Sequence, residues 1–272
     1  MAEYQITLIG CGKMGSAMLK GWLNDLSLHA RFIIIEPDQK HLGWLTNEPR
    51  VKLYSDCASA ISDNVLASTM TVLAVKPQIM DEALNVLGAM TNTSSAYLSI
   101  AAGISTSWLK QRLGADAVVL RAMPNTPAAI GKGITALYGA APAVSRDLAR
   151  QLLSAVGDVV LLDDEGLMDA VTAVSGSGPA YVFLLADAMS AAGVEAGLPD
   201  ALAKDLAKAT VCGAGALMAA VDIPPATLRE NVTSKGGTTE AALSVLMAKD
   251  GLYALMTKAI EAARARSVAL GE

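Results

Sequence analysis

Two glycine-containing stretches carry the chemistry that this sequence offers. The first, "IGCGKMG", spaces Gly10, Gly12 and Gly15 as G-x-G-x-x-G. Ahead of it Ile6–Ile9 reads as a short buried strand, and behind it Met14, Met18, Leu19 and Trp22 recur at helical spacing. In that setting each glycine has a task. Gly10 permits the tight turn, Gly12 lets a pyrophosphate reach the backbone, and Gly15 lets helix and strand pack closely. The helix N-terminus offers unpaired N–H groups to the phosphates. The second stretch, "NVTSKGGTTEAAL" from Asn231 to Leu243, enters a helix through Gly236, Gly237, Thr238 and Thr239. The glycines allow close backbone approach, the threonines bring hydroxyls, and the free amides of a first helical turn favour an anion such as a carboxylate. A dinucleotide site beside a carboxylate site points to a redox enzyme acting on a small acid.

Other chemistries are poorly supplied. The two histidines, His29 and His41, read as solvated surface residues, so neither a catalytic triad nor a histidine metal cage is expected. Cys11, Cys57 and Cys212 are scattered and odd in number, which fits a reducing, cytoplasmic protein without a disulfide framework or zinc site. A net charge of −5 and the absence of any basic run argue against a nucleic-acid partner. The composition is 53% hydrophobic and only 17% charged. The longest uncharged stretches, Val171–Ala186 and Ala209–Val221, are interrupted by Gly, Ser, Thr or Pro and are too short to span a membrane. The excess apolar surface is therefore expected to be buried between subunits of a dimer or larger assembly. Glu3 and Tyr4, so near the start, argue against a secretory leader.

The elements that must position the two stretches divide the chain. Up to residue 164 strands and helices alternate: after Ile6–Ile9 come "FIIIEPD", Thr71–Val75, Ala96–Ile100, Val118–Arg121 and "GDVVLLDD". This predicts a Rossmann-type, doubly wound parallel sheet with ligands at the carboxyl ends of its strands. Lys76–Pro77 makes a turn there, Met123–Pro127 a rigid loop, and the small residues Ala101, Ala102 and Gly103 leave room for a nicotinamide against the backbone. Glu36 ends the second strand, where its carboxylate accepts hydrogen bonds from ribose hydroxyls and repels a 2′-phosphate; it favours NADH over NADPH, softened by Lys40. From 165 to 272 the spacing is helical throughout, interrupted at Ser175–Pro179, which predicts an all-α domain for dimerisation and substrate binding.

"GCGKMG", "LAVKPQ", "SIAAGIS", "RAMPNTPAAIGKGITALY", "SGSGPAY" and "NVTSKGGTTEAAL" follow one another in the order and spacing of pyrroline-5-carboxylate reductase, and the chain resembles that family over nearly its whole length. The resemblance implies reduction of 1-pyrroline-5-carboxylate to L-proline by NAD(P)H, a helical dimerisation domain, and dimers that often assemble into a decamer. Carried over, it assigns Ile9, Gly10, Cys11, Gly12, Lys13 and Met14 to the cofactor pyrophosphate. Ala74, Val75, Lys76 and Pro77, with Ile100, Ala101 and Ala102, would line the nicotinamide half, and Asn231 would touch cofactor. Thr238 and Thr239 would hold substrate with Gly236 and Gly237, and Asp222 falls near an acidic position that also contacts it. Two positions depart from the pattern: Glu36 replaces a small polar residue that some members place beside a 2′-phosphate, and Cys57 stands where a cofactor-binding asparagine is often found.

The mechanism expected from this reading has the Gly237–Thr239 amides clamp the carboxylate while the Thr239 hydroxyl bonds the ring nitrogen, at a site completed by the partner subunit. A β-hydroxyacid dehydrogenase, the nearest rival, needs a lysine on its inter-domain helix, and "SGSGPAYVFLLADAM" has none. A non-catalytic dinucleotide sensor would not need the second anion site.

Overall fold

The computed structural model describes residues 4–63, 68–88 and 96–271; the early Glu3 lies outside them. Two compact units form, one of residues 4–176 with 263–271 and one of Ser177–Ala262. The border expected between 164 and 165 falls at the start of the segment that leads from the last strand of the first unit to this division.

The first unit is an eight-stranded sheet in the order β3-β2-β1-β4-β5-β6-β7-β8. Its strands are β1 (Tyr4–Ile9), β2 (Ala30–Ile35), β3 (Val51–Tyr54), β4 (Met70–Leu73), β5 (Tyr97–Ser99), β6 (Val119–Met123), β7 (Gly133–Tyr138) and β8 (Gly157–Leu161). Side chains alternate between two cores, one on each face of the sheet. Ile6, Leu8, Phe32 and Ile34 point into one, and Ile9, Ile33 and Ile35 into the other. On the first face Trp22 of α1 (Lys13–Asn24) is fully buried, stacks on Phe32 with centroids 5.6 Å apart, and donates its indole N–H to the Leu152 carbonyl at 2.8 Å. The indole therefore loses no hydrogen bond on burial.

Strands β3 and β7 add to those expected from the sequence, and the sheet is parallel as expected except where β6 meets β7. Strand β7 pairs antiparallel with β6 and parallel with β8. The reason is the connection. A parallel return needs a crossover of about a dozen residues or more, usually a helix. Between β6 and β7 the chain makes only a 3-10 turn, Thr126–Ile130, closed by Gly131 in a left-handed conformation. The carboxyl end of β8 consequently lies on the opposite edge from the loops after β1, β4, β5 and β6.

The remaining helices of this unit are α2 (Cys57–Ser62), α3 (Met80–Gly88), α4 (Thr106–Leu113), α5 (Ala143–Ser154) and the short α6 (Met168–Val171), which runs into a π turn at Thr172–Gly176. Glu165 ties three of its parts together. Its carboxylate accepts from the Thr106 amide and hydroxyl at the start of α4 (2.8 and 2.6 Å) and from Arg121 of β6 at 2.7 Å. Burial alone would raise the Glu165 pKa, but the Thr106 hydroxyl and Arg121 outweigh it and hold the carboxyl below its ordinary value.

The second unit is helical: α7 (Gly178–Glu195), α8 (Asp200–Ala220), α9 (Pro225–Asn231), α10 (Thr238–Leu246) and the first part of α11 (Leu252–Gly271). The interruption read at Ser175–Pro179 is the π turn followed by a fresh helix start, with Pro179 in the first turn of α7 where its missing N–H costs nothing. Few of its residues are buried: Ser190, Ala203 and Ala207 are, whereas Phe183, Leu184, Val245 and Tyr253 are each about two-thirds exposed or more. Among the described residues no single helix is long and apolar enough to cross a membrane.

Candidate functional site

The glycine loop sits between β1 and α1 and divides the tasks of its glycines by space. A Cβ on Gly15 would stand 2.4 Å from the Gly10 carbonyl oxygen, whereas one on Gly12 would meet no protein atom within 4 Å. Gly15 is thus required by packing of the helix on the strand. Gly12, the N-cap of α1, is small where the molecule leaves open space above free helix amides. That is what an approaching pyrophosphate needs.

Of the cavities that border this loop among the described residues, two take in the residues singled out for cofactor. The first, about 570 Å³, is lined by Ile9, Gly10, Gly12, Glu36, Ala74, Val75 and Lys76, and also by Ser55, Asp56, Cys57 and Glu82. The second, about 630 Å³, is lined by Gly12, Lys13, Met14, Ala74–Pro77 and Ile100–Ala102, together with Met123–Thr126 and Gly176. Glu36 and every first-unit residue that the resemblance assigns to cofactor therefore border one of these cavities, except Cys11. That residue is fully buried, and burial pushes its thiol pKa up.

The Cys11 peptide group explains how Glu36 is set. Its N–H donates to Glu36 Oε2 at 2.7 Å, and the Asp38 N–H donates to Oε1 at 3.0 Å. The Cys11 carbonyl accepts from the Ser16 hydroxyl and from His41 Nε2, both at 2.7 Å. The carboxylate at the end of β2 is thereby held against the glycine loop. His41 is exposed, as expected, and from the 3-10 segment Lys40–Leu45 it also hydrogen-bonds the loop. In the first cavity Asp56 caps α2, its carboxylate accepting the Ser59 amide at 2.8 Å. That bond, with those of Ser55 and Ser59, holds its pKa below the ordinary carboxylate value. Three acidic residues, Glu36, Asp56 and Glu82, line this cavity together with one basic residue, Lys76.

The second stretch lies in the second unit, at the start of α10. Gly236 has φ +73°, which reverses the chain into the helix. The Gly237 amide donates to the Ser234 carbonyl at 3.0 Å, and the Gly236 amide donates to Glu240 Oε2 at 2.6 Å. The first intrahelical bond to the N-cap runs from Ala241 to Gly237. The expected clamp of amides from Gly237 to Thr239 is corrected accordingly: Gly237 is tied up by protein. The amides of Thr238 and Thr239, and both threonine hydroxyls, meet no protein partner among the described residues. Asn231 ends α9 and is exposed, and Asp222 is exposed in the connection between α8 and α9. No described hydrogen bond gathers either of them to the threonines.

Several site residues escaped the sequence reading. Asn125 is 8% exposed; its side-chain oxygen accepts the Ile134 amide at 3.0 Å and its amide donates to the Ser175 carbonyl at 3.3 Å. It ties β7 and the π turn to the second cavity. An asparagine set between Pro124 and Pro127 in "MPNTP" is the signal that the sequence offers. Ser55, Asp56 and Glu82 left no comparable mark.

Comparison with known proteins accounts for both halves of the chain. A family profile described as pyrroline-5-carboxylate reductase dimerisation matches residues 165–270, and one described as NADP oxidoreductase, coenzyme F420-dependent, matches residues 5–103. The pyrroline-5-carboxylate reductase of Pseudomonas aeruginosa is 39% identical, covering 100% of this chain and 98% of that protein. The Synechocystis enzyme is also 39% identical, over 98% of each. Among solved structures, a pyrroline-5-carboxylate reductase from Coxiella burnetii is 30% identical with a TM-score of 0.89, covering 100% of both chains. A Plasmodium falciparum pyrroline carboxylate reductase with NADP bound is 26% identical with a TM-score of 0.82, again over 100% of both. The chain belongs to the pyrroline-5-carboxylate reductase family.

Proposed function

We propose that the protein reduces the cyclic imine 1-pyrroline-5-carboxylate to L-proline, the last step of proline biosynthesis, with the first unit holding NAD(P)H and the α10 N-terminus holding the substrate acid. The observation that carries the substrate assignment is the pair of unpartnered amides at Thr238 and Thr239, on a helix whose preceding glycine amides are already occupied. A carboxylate there gains two charge-assisted hydrogen bonds, each worth about 1.5–3 kcal/mol, and the positive end of the helix.

When bound, the reduced nicotinamide supplies the hydride that the imine carbon receives. The residues of the chain supply position. Gly10 and Gly12, with the α1 amides, suit a pyrophosphate; Lys13, Met14, Ala74–Pro77 and Ile100–Ala102 suit the nicotinamide half; Glu36 suits the adenosine ribose; and Asn231 suits a cofactor contact from the helical unit. The imine is basic enough to need no strong acid. The imine takes its proton from solvent; its N–H then donates to the Thr239 hydroxyl oxygen, and hydride addition at carbon leaves that proton on the amine nitrogen. Asp222 is assigned to the substrate only through family likeness.

The acidic lining around Glu36 favours NADH over NADPH. A 2′-phosphate at about 4 Å from one carboxylate costs roughly 4 kcal/mol at an effective dielectric of 20, before salt screening. The free state of Cys11, Cys57 and Cys212 fits a reducing compartment such as the cytoplasm, and the exposed apolar helices fit a dimer that assembles further into a decamer.

The test is NADH oxidation with pyrroline-5-carboxylate, with a 3-oxo acid and with no substrate. Turnover on the imine alone is expected, and turnover on the 3-oxo acid would favour a β-hydroxyacid dehydrogenase. Thr239→Val removes that acceptor and is expected to lower kcat on the order of 10²-fold, the cost of a reacting group held about 1 Å out of place. Unchanged kinetics would remove Thr239 from the chemistry.

A further inference from the structure

The Ile100–Gly103 loop, which walls the second cavity after β5, is backed by the far end of the chain. Gly103 has φ +77°, and a Cβ there would come within 3.0 Å of the Gly271 nitrogen. A Cβ on Gly271 would stand 2.3 Å from the Gly103 carbonyl oxygen. The two backbones therefore touch directly. Such a contact fixes separation more tightly than side chains do, because no rotamer can yield. One turn earlier Ser267, only 3% exposed, donates its hydroxyl to Asp169 Oδ1 at 2.6 Å. Asp169 belongs to α6, which runs into the π turn ending at Gly176, and Gly176 lines the same cavity. The last turn of α11 is thus fastened to two segments that bound the cavity. Both fastenings are internal to the first unit.

We infer that this last turn, Ser267–Gly271, is a positioning element: it sets the height of the Ile100–Gly103 loop and so the seat of the nicotinamide. The inference rests on the reading that Ile100–Ala102 border the nicotinamide. Neither Ser267 nor Gly271 lines the cavity; Gly271 acts through the loop and Ser267 through α6 and the π turn. A mere stabilising tail would change melting temperature and all ligand affinities together. A positioning tail separates the two ends of the cofactor, because the adenosine half sits against Glu36 and the glycine loop.

The experiment compares Gly271→Ala, Ser267→Ala and Ala102→Leu in the full-length protein, measuring NADH and imine kinetics and the dissociation constant for ADP-ribose, which lacks nicotinamide. Gly271→Ala is expected to raise KM for NADH and lower kcat, with a combined loss of about tenfold or more in kcat/KM, as displacement of a reacting group by a fraction of an ångström does. ADP-ribose affinity should stay within twofold, near the wild-type value. Ser267→Ala should act in the same direction more weakly, and it carries the test if Gly271→Ala fails to fold. Unchanged NADH kinetics in the tail variants, with Ala102→Leu impaired, would overturn the inference and leave the nicotinamide placement standing. Unchanged kinetics in Ala102→Leu would overturn the placement and the inference with it. Parallel loss of ADP-ribose binding in the tail variants would mark a tail that only stabilises the fold.

Discussion

The two units bury apolar surface in opposite ways. In the first, the sheet has a core on each face, and Trp22, Phe32, Ile6, Leu8 and Leu98 are almost wholly removed from water by the unit's own residues. In the second, α7 is apolar nearly all round, yet Phe183 is 67% exposed and Leu184 66%. A helix of that kind belongs in an interior. The first unit completes its interior alone, whereas the second leaves apolar surface open, in keeping with the dimerisation family it matches. The difference teaches that composition alone is ambiguous. A hydrophobic fraction of 53% reflects an ordinary α/β core in one half and an unfinished interior in the other.

The largest effect should come from attacking the unfinished interior. Phe183→Asp with Leu184→Asp is expected to weaken self-association by about 4 kcal/mol or more, roughly a thousandfold in Kd. Sedimentation should show monomer with little activity, while binding of ADP-ribose, the half of the cofactor assigned to first-unit residues, survives. A variant that stayed assembled would break the comparison.

Next is the Glu165 clasp, which tests the self-sufficiency of the first unit. Glu165→Gln strands a nearly buried Arg121 and should cost about 3 kcal/mol, read as a lowered Tm. The folded pKa of Glu165 lies below its ordinary 4.5, so the clasp is fully present above that value and is lost as pH falls through the lower, folded one. The variant should therefore lose the part of the acid sensitivity that the wild type owes to this group.

Smaller again is the contrast within the glycine loop. Gly15→Ala has to push α1 off β1 and should cost about 1–3 kcal/mol. Gly12→Ala should leave Tm nearly unchanged and raise KM for the cofactor about tenfold, or 1.4 kcal/mol. Equal melting penalties would contradict the division between packing and ligand approach. The least change is expected from Glu36→Ser, which should shift the NADPH-to-NADH preference about tenfold after screening of the charge. Glu36→Gln keeps an acceptor for the Cys11 amide, so a like shift there isolates the charge from the loop geometry.

Much of this was legible in the sequence because short-range rules wrote it. The strand before Gly10, the helix after it and the break before Pro179 follow from periodicity and from the geometry of glycine and proline. What the sequence withheld depended on residues distant in the chain. β7 reverses because its connection is short, and only the pairing with β6 reveals the direction. His41 is a surface residue, and only the fold shows that its ring also reaches the Cys11 carbonyl. The Gly237 amide looks free until Ser234 turns back onto it. Gly271 carries no motif, and its meaning appears only against Gly103, far earlier in the chain.

The central claim concerns two amides, and a crystal structure of the protein with NADH and L-proline tests it most directly. The account predicts the proline carboxylate within hydrogen-bonding distance of the Thr238 and Thr239 amides, with the ring nitrogen near the Thr239 hydroxyl. A carboxylate held by a lysine or arginine, with those two amides facing solvent, would contradict it.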